Sequence, residues 1–487
     1  MKITPDLETV KGFKAQNYDI MPISCEILSD FCTPIKALKI LKNVSSHCYM
    51  LESAESKEKW GRYTFLGFDP KLEITCKGDE MKIGDLKIIT ENPAEKIREL
   101  LGSYKSPRLD YLPTFTGGLV GYFSYDFLSY SEKSLKNNTP DTENFKDVDL
   151  MLFDKVIAFD NYKQKIILMV NINLNDYETE YNRAVMELKN LVNLLRNGEE
   201  TNEQSGRLLS EVTPLFNKDE YCQMVNKAKH HILEGDIFQI VLSNRLSADF
   251  EGSLLNTYRI LRTINPSPYM FYFSGTDVEV AGASPETLVK LEGKTLHTFP
   301  LAGTRPRGKT DEEDKALEKD LLSDKKELAE HNMLVDLGRN DLGKISEFGS
   351  VTVEKLHSIE RYSHVMHIGS TVKGTIRDEF DGLDAVRAVL PAGTLSGAPK
   401  IRACQLIAEL EQNKRGIYGG AIGYIDFTGN LDTCIAIRIA YKKNGKVFVR
   451  SGAGIVADSI PENEYQECIN KAGAVITALK QAEEEDL

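Results

Sequence analysis

Alternating apolar and polar positions in Lys71-Leu72-Glu73-Ile74-Thr75, and the apolar run in Lys165-Ile166-Ile167-Leu168-Met169-Val170, predict strands in the first half of the chain. Helical periodicity interrupts them near residues 93–103 and 177–195. The stretch Arg196 to Gly206 is polar and without period, so it predicts a linker or surface crossing between an N-terminal lobe, 1–206, and a C-terminal lobe, 207–487. Beyond it, Asn217 and Glu220 form a capping box for a helix running to Leu233 and stopped at Gly235, with a strand from Ile237 to Ser243 directly after. Further helices are predicted over about Asp311–Leu337, Pro399–Leu410 and Glu462–Lys480. Two glycine-rich segments echo one another: Gly117-Gly118-Leu119-Val120-Gly121-Tyr122 and Gly419-Gly420-Ala421-Ile422-Gly423-Tyr424. Such strands indicate backbones approaching too closely for side chains.

Length supports the two-lobed reading, since 487 residues exceed what one compact core usually holds. A formal charge of -13, with 60 basic and 73 acidic residues interspersed, argues against nucleic acid or an anionic membrane as partner. An anionic substrate would then need placed cations or a metal. There is no apolar stretch behind a basic start and no apolar run long enough to span a bilayer, so a cytoplasmic location is expected. The eight cysteines show no Cys-x-x-Cys pair and are expected to be reduced, mostly buried thiols.

Glu327 and Glu330 are one helical turn apart, on a stripe that continues through Leu334 and Leu337 and so should face the core. A single such pair on a lysine-rich helix is ordinarily solvated. The last helix repeats the arrangement with Glu464 and Glu467, followed a turn later by Lys471. Four converging carboxylates would repel one another without a hard divalent cation, and Mg²⁺ suits them, with two direct ligands and two acting through water. Gly452-Ala453-Gly454-Ile455-Val456-Ala457 matches a dinucleotide fingerprint, but Pro461 and the absence of a later strand with a ribose-binding acid reject it. The glycines still allow backbone N–H groups to approach an anion. His364 and His367 would lie on opposite faces of a strand and cannot clamp a metal together, although one could serve as an acid or base.

Gly235 to Gln239, Ala283-Ser284-Pro285-Glu286, Pro300 to Arg305, Val335 to Leu342, Gly393 to Lys400 and Ser451 to Val456 together resemble the chorismate-utilising enzymes, the family that includes anthranilate synthase component I. The resemblance covers almost the whole chain. It implies an α+β fold, two packed antiparallel sheets with helices outside, and an active site in the C-terminal portion. It also implies Mg²⁺ held directly by Glu330 and Glu467 with Glu327 and Glu464 behind them. The implied chorismate site comprises Gly303, Thr304, Tyr418, Arg438, Gly452, Ala453, Gly454 and Lys471, with His367 and Thr394 as candidate acids.

Relatives that make the folate precursor commonly carry lysine at the place of Ala302, and the isochorismate and salicylate enzymes carry lysine at the place of Gln239. This chain has neither, so the resemblance implies an external nucleophile, ammonia, and the formation of anthranilate with loss of pyruvate. An aminodeoxychorismate synthase is the alternative. With no amidotransferase domain in the chain, a hetero-oligomer with a separate glutamine amidotransferase subunit is implied. A tryptophan feedback site is implied by Glu52 and Ser53 together with Pro268, Tyr269 and Met270, with Tyr424 and Cys434 contributing. Met50 departs from the family's leucine there, a volume-conserving change.

Overall fold

The computed structural model describes residues 2–53, 61–136, 139–362 and 365–484. Strand Lys165–Asn173 shows how the architecture arises. Ile166, Leu168, Val170 and Ile172 face one hydrophobic cluster while Ile167 and Met169 face another, so both faces are buried and the sequence reads as a continuous apolar run. The second cluster, containing Tyr49, Phe153, Phe271 and Phe448, fills the space between two large sheets. The outer face of one sheet is covered by helices Pro34–Val44, Tyr177–Asn197, Leu255–Ile264 and Pro461–Glu484. Helices Pro93–Leu101, Lys325–Gly343 and Gly382–Val389 cover the other. The molecule is thus the expected α+β sandwich of antiparallel sheets with helices outside.

The sheets have 14 and 12 strands among the described residues, and each draws on both sides of the polar crossing. Cys48–Glu52 pairs with Tyr269–Ser274, setting Glu52 opposite Met270. In the other sheet the two glycine-rich segments are direct neighbours: Gly118–Phe123 runs antiparallel to Ala421–Asp426, with Gly121 opposite Gly423. A Cβ on Gly121 (φ 151°) would sit 2.1 Å from the Asp149 carbonyl oxygen, and one on Gly423 (φ 159°) 2.0 Å from that of Asp432. Only glycine fits these positions.

The capping box at Asn217 and Glu220 forms, and the helix after it ends at Leu233. The strand that follows is longer than predicted, Gln239–Glu251, and pairs with Lys446–Ile455. The single helix expected over Asp311–Leu337 is a correction: the chain forms Asp311–Ser323 and Lys325–Gly343, broken at Asp324. The Asp324 carboxylate accepts the backbone N–H groups of Lys326 and Glu327, so an acid that periodicity places mid-helix acts as the cap of a new one. All eight cysteines are free, and all but Cys222 are buried. Among the described residues no helix is long and apolar enough to cross a membrane.

Candidate active site

Helix Lys325–Gly343 and helix Pro461–Glu484 approach one cavity of 590 Å³, and Glu327, Glu330, Glu464, Glu467 and Lys471 all line it. The end of strand Lys446–Ile455 adds Gly452 and Gly454, and the adjoining strand adds Gln239. Leu301–Pro306 and its partner Val365–Thr375 contribute Gly303, Thr304 and His367. Thr394, Tyr418 and Arg438 complete the wall. Among the described residues, every one that lines it comes from beyond the polar crossing. Ala453 does not line the cavity; its side chain is fully buried in the opposite direction, as strand alternation requires. His364 lies outside the described residues.

The glycines are set by proximity. A Cβ at Gly452 would lie 2.7 Å from the Leu242 carbonyl oxygen, and one at Gly454 would meet Gln239 Nε2 at 2.8 Å. Gly303 holds φ +66° beside the carboxylate of Glu327. Lys471 Nζ lies 2.7 Å from Glu467 Oε1 and donates to the Gly452 carbonyl at 3.2 Å. Gln239 Nε2 donates to Glu330 Oε1 at 3.2 Å, while its own carbonyl oxygen is buried without a partner among the described residues. The Arg438 guanidinium has no hydrogen-bond partner among the described residues, and burial lowers its pKa from the usual arginine value.

Two groups have opposite proton states at neutral pH. His367 Nδ1 lies 2.8 Å from the Gly303 carbonyl, which can only accept, so Nδ1 carries the hydrogen and Nε2 presents a lone pair. Burial also pushes this imidazole's pKa down. Glu286, 8% exposed, is pushed up to about 8 by burial, against the opposing effects of Thr394, Arg438 and Lys471. Its carboxyl, joined to Thr394 Oγ1 at 3.1 Å, is therefore protonated when the imidazole is not. Glu286 was quoted in the Ala283–Glu286 motif, yet nothing in spacing gave it a role; only its burial does.

The four glutamates form two pairs. Burial and then Glu330 raise the pKa of Glu327; burial, opposed by Ser459, raises that of Glu464, with Glu467 adding to the rise. Among the described residues no three acidic, histidine or cysteine side chains converge as a ready-made cage. The donors are all carboxylate oxygens, divided between two helices. That set fits a hard cation taking one or two protein ligands and completing its shell with water and substrate oxygens, as Mg²⁺ does.

A second cavity, of 470 Å³, lies where both halves of the chain meet. Glu52, Ser53, Pro268, Tyr269, Met270, Tyr424 and Cys434 all line it. Tyr258 OH donates to the Glu52 carboxylate at 2.5 Å and Arg262 pairs with it. Tyr269 OH donates to Asp432 at 2.8 Å. Pro285 and Leu301 line both cavities, so one thin wall separates them. Met50 is fully buried in the sheet beside this site.

Comparison with known proteins agrees with this layout. The family described as chorismate binding enzyme matches residues 46–477. The anthranilate synthase component 1 of Acetivibrio thermocellus is 46% identical, over 99% of this chain and 99% of its own length. The crystal structure of anthranilate synthase component I from Streptococcus pneumoniae TIGR4 superposes with a TM-score of 0.75 at 40% identity, covering 85% of this chain and 92% of that one. The menaquinone-specific isochorismate synthase of Escherichia coli, 19% identical with a TM-score of 0.71 over 97% and 98% of the two chains, shares the fold. The chain belongs to the chorismate-binding enzymes, among the anthranilate synthase component 1 proteins.

Proposed function

We propose that the chain aminates chorismate with ammonia and eliminates pyruvate to give anthranilate, the first step toward tryptophan. In this reading it depends on Mg²⁺, receives ammonia from a separate glutamine amidotransferase subunit in a hetero-oligomer, and is inhibited by tryptophan in the second cavity. The observation that carries the reading is the 590 Å³ cavity, where two glutamate pairs face Arg438, Lys471 and a glycine-rich strand end. The buried guanidinium, the ammonium and the backbone N–H groups suit the two carboxylates of chorismate. Glu330 and Glu467 would hold Mg²⁺, with Glu327 and Glu464 acting through water; when bound, the ion supplies positive charge against the ring carboxylate.

The protonated Glu286 is the group best placed to protonate the departing 4-hydroxyl, with Thr394 aligning its carboxyl. His367, neutral with its Nε2 lone pair available, suits acceptance of a proton rather than its donation. The unpartnered carbonyl of Gln239 can accept an N–H of ammonia, and Ala302 brings no competing amine into the cavity. The name component 1, borne by the relatives, supports a partner subunit.

Purified protein with chorismate, Mg²⁺ and an ammonium salt is expected to yield fluorescent anthranilate and equimolar pyruvate. Chorismate consumed without pyruvate would point instead to the aminodeoxychorismate reaction, and no consumption would sink the catalytic reading. Glu467→Gln is expected to raise the Mg²⁺ concentration for half-maximal rate by roughly 100-fold or more, since even residues supporting a ligand commonly change affinity by 10–100-fold. An unchanged Mg²⁺ titration would remove Glu467 from the metal site.

A further inference from the structure

The wall between the cavities contains a connection that neither pocket alone explains. Ser370, on strand Val365–Thr375, lines the second cavity although only 3% exposed. Its hydroxyl lies 2.6 Å from His331 Nε2 and accepts the backbone N–H of His357 at 3.1 Å. His331 is the residue after Glu330, is fully buried, and among the described residues has no partner for its other ring nitrogen. His357 holds a left-handed backbone, φ 57°, which a residue with a Cβ rarely adopts, and its Nε2 lies 2.8 Å from Asn332 Oδ1. One hydroxyl in the second cavity's wall thus anchors the helical turn that presents Glu330 to the first cavity.

We propose that His331 is a positioning residue for Glu330, and that a ligand in the second cavity acts on the first by competing for the Ser370 hydroxyl that holds His331 in place. The inference rests on the tryptophan-feedback reading given above. A ligand that draws Ser370 away leaves a buried imidazole with both nitrogens unpartnered, an arrangement disfavoured enough to shift the turn. Couplings of this kind change affinity by roughly 5- to 150-fold, and they act in both directions, so bound Mg²⁺ and tryptophan should weaken one another.

The test separates binding from inhibition in the full chain with ammonium as nitrogen donor. Tryptophan affinity is measured by calorimetry and the inhibition constant from anthranilate formation, for the wild type, Ser370→Ala, His331→Leu and His331→Gln. In the wild type the two constants should agree. Ser370→Ala breaks the link without ligand, so it should need more Mg²⁺ even in the absence of tryptophan; in it and in His331→Leu the tryptophan affinity should stay within about threefold while the inhibition constant rises roughly tenfold or more. His331→Gln, whose amide can reach Ser370, should recover part of the inhibition. Should affinity and inhibition weaken together, Ser370 is only a ligand contact and the link is overturned; if neither changes, it is likewise overturned. A wild type that binds no tryptophan overturns the feedback reading and the link with it. Ser370→Ala, the smaller change, keeps the test decisive if His331→Leu does not fold.

Discussion

Glu286→Gln is expected to lower kcat by about two to four orders of magnitude while leaving KM for chorismate within roughly a factor of ten. Glutamine preserves the shape beside Thr394 and can still accept its hydroxyl, but it has no proton of suitable acidity to give. In the wild type, burial pushes the carboxyl up to about 8, so the acid form prevails at neutral pH and is lost as pH rises through that value. The wild-type rate should therefore fall on the alkaline side near pH 8, and the variant's residual rate should lack that limb. Stability falls in the same direction, over a window that opens at lower pH. Because the folded-state pKa lies above the ordinary glutamate value of 4.5, the linked stability is fully present below that value and lost as pH climbs to about 8. Glutamine has no such loss, so the variant should gain on the wild type in alkaline melting experiments, by at most about 5 kcal/mol. A kcat within threefold of wild type would return the acid role to His367 or Thr394.

Glu411→Leu is expected to destabilise the fold by about 3–5 kcal/mol. The Glu411 carboxylate is buried beside the 590 Å³ cavity that Arg450 lines, with Oε2 2.8 Å from an Arg450 nitrogen and Oε1 2.5 Å from one of Arg415. It also accepts from the Ser243 backbone and hydroxyl at 2.8 and 2.9 Å. Arg415 in turn donates to the carbonyls of Leu395 and Val241 at 2.6 and 2.7 Å. Removing the carboxylate leaves two guanidiniums facing each other without a counter-charge, and burial prevents water from substituting. Urea denaturation would measure the loss; a change below 1 kcal/mol would mean that solvent reaches the cluster. Val241, Leu395 and Arg450 also line the cavity, so a loosened cluster should lower kcat/KM even where the variant is folded.

What the chain discloses to a reader of its sequence follows the range of the forces involved. The capping box at Asn217 and the echo of the two glycine-rich strands are legible because each is dictated by contacts within a few residues or by the exclusion of a Cβ. Glu327 with Glu330, and Glu464 with Glu467, were legible as pairs on one helical face, while their meeting around one cavity required family resemblance. Asp324 was misread because hydrophobic periodicity runs through it, whereas its carboxylate caps a new helix. Glu286 and the Glu411 cluster were missed for another reason. A lone glutamate in a sequence reads as solvated, and only burial, a property of distant segments such as Ser243 and Arg450 converging on it, changes its chemistry. The wall shared by the two cavities has no sequence signature at all.

The pairing of Cys48–Glu52 with Tyr269–Ser274, and of Gly118–Phe123 with Ala421–Asp426, bears on how the chain is made. On the ribosome the earlier strand of each pair emerges long before its neighbour. At about 5–20 residues per second, strand Gly118–Phe123 waits roughly 15 to 60 seconds for its partner. During that interval its backbone N–H and C=O groups form an open edge able to recruit any extended peptide. The nascent protein thus keeps that edge open until roughly the last seventh of the chain is translated, and chaperone supply over that stretch should affect the yield of folded protein.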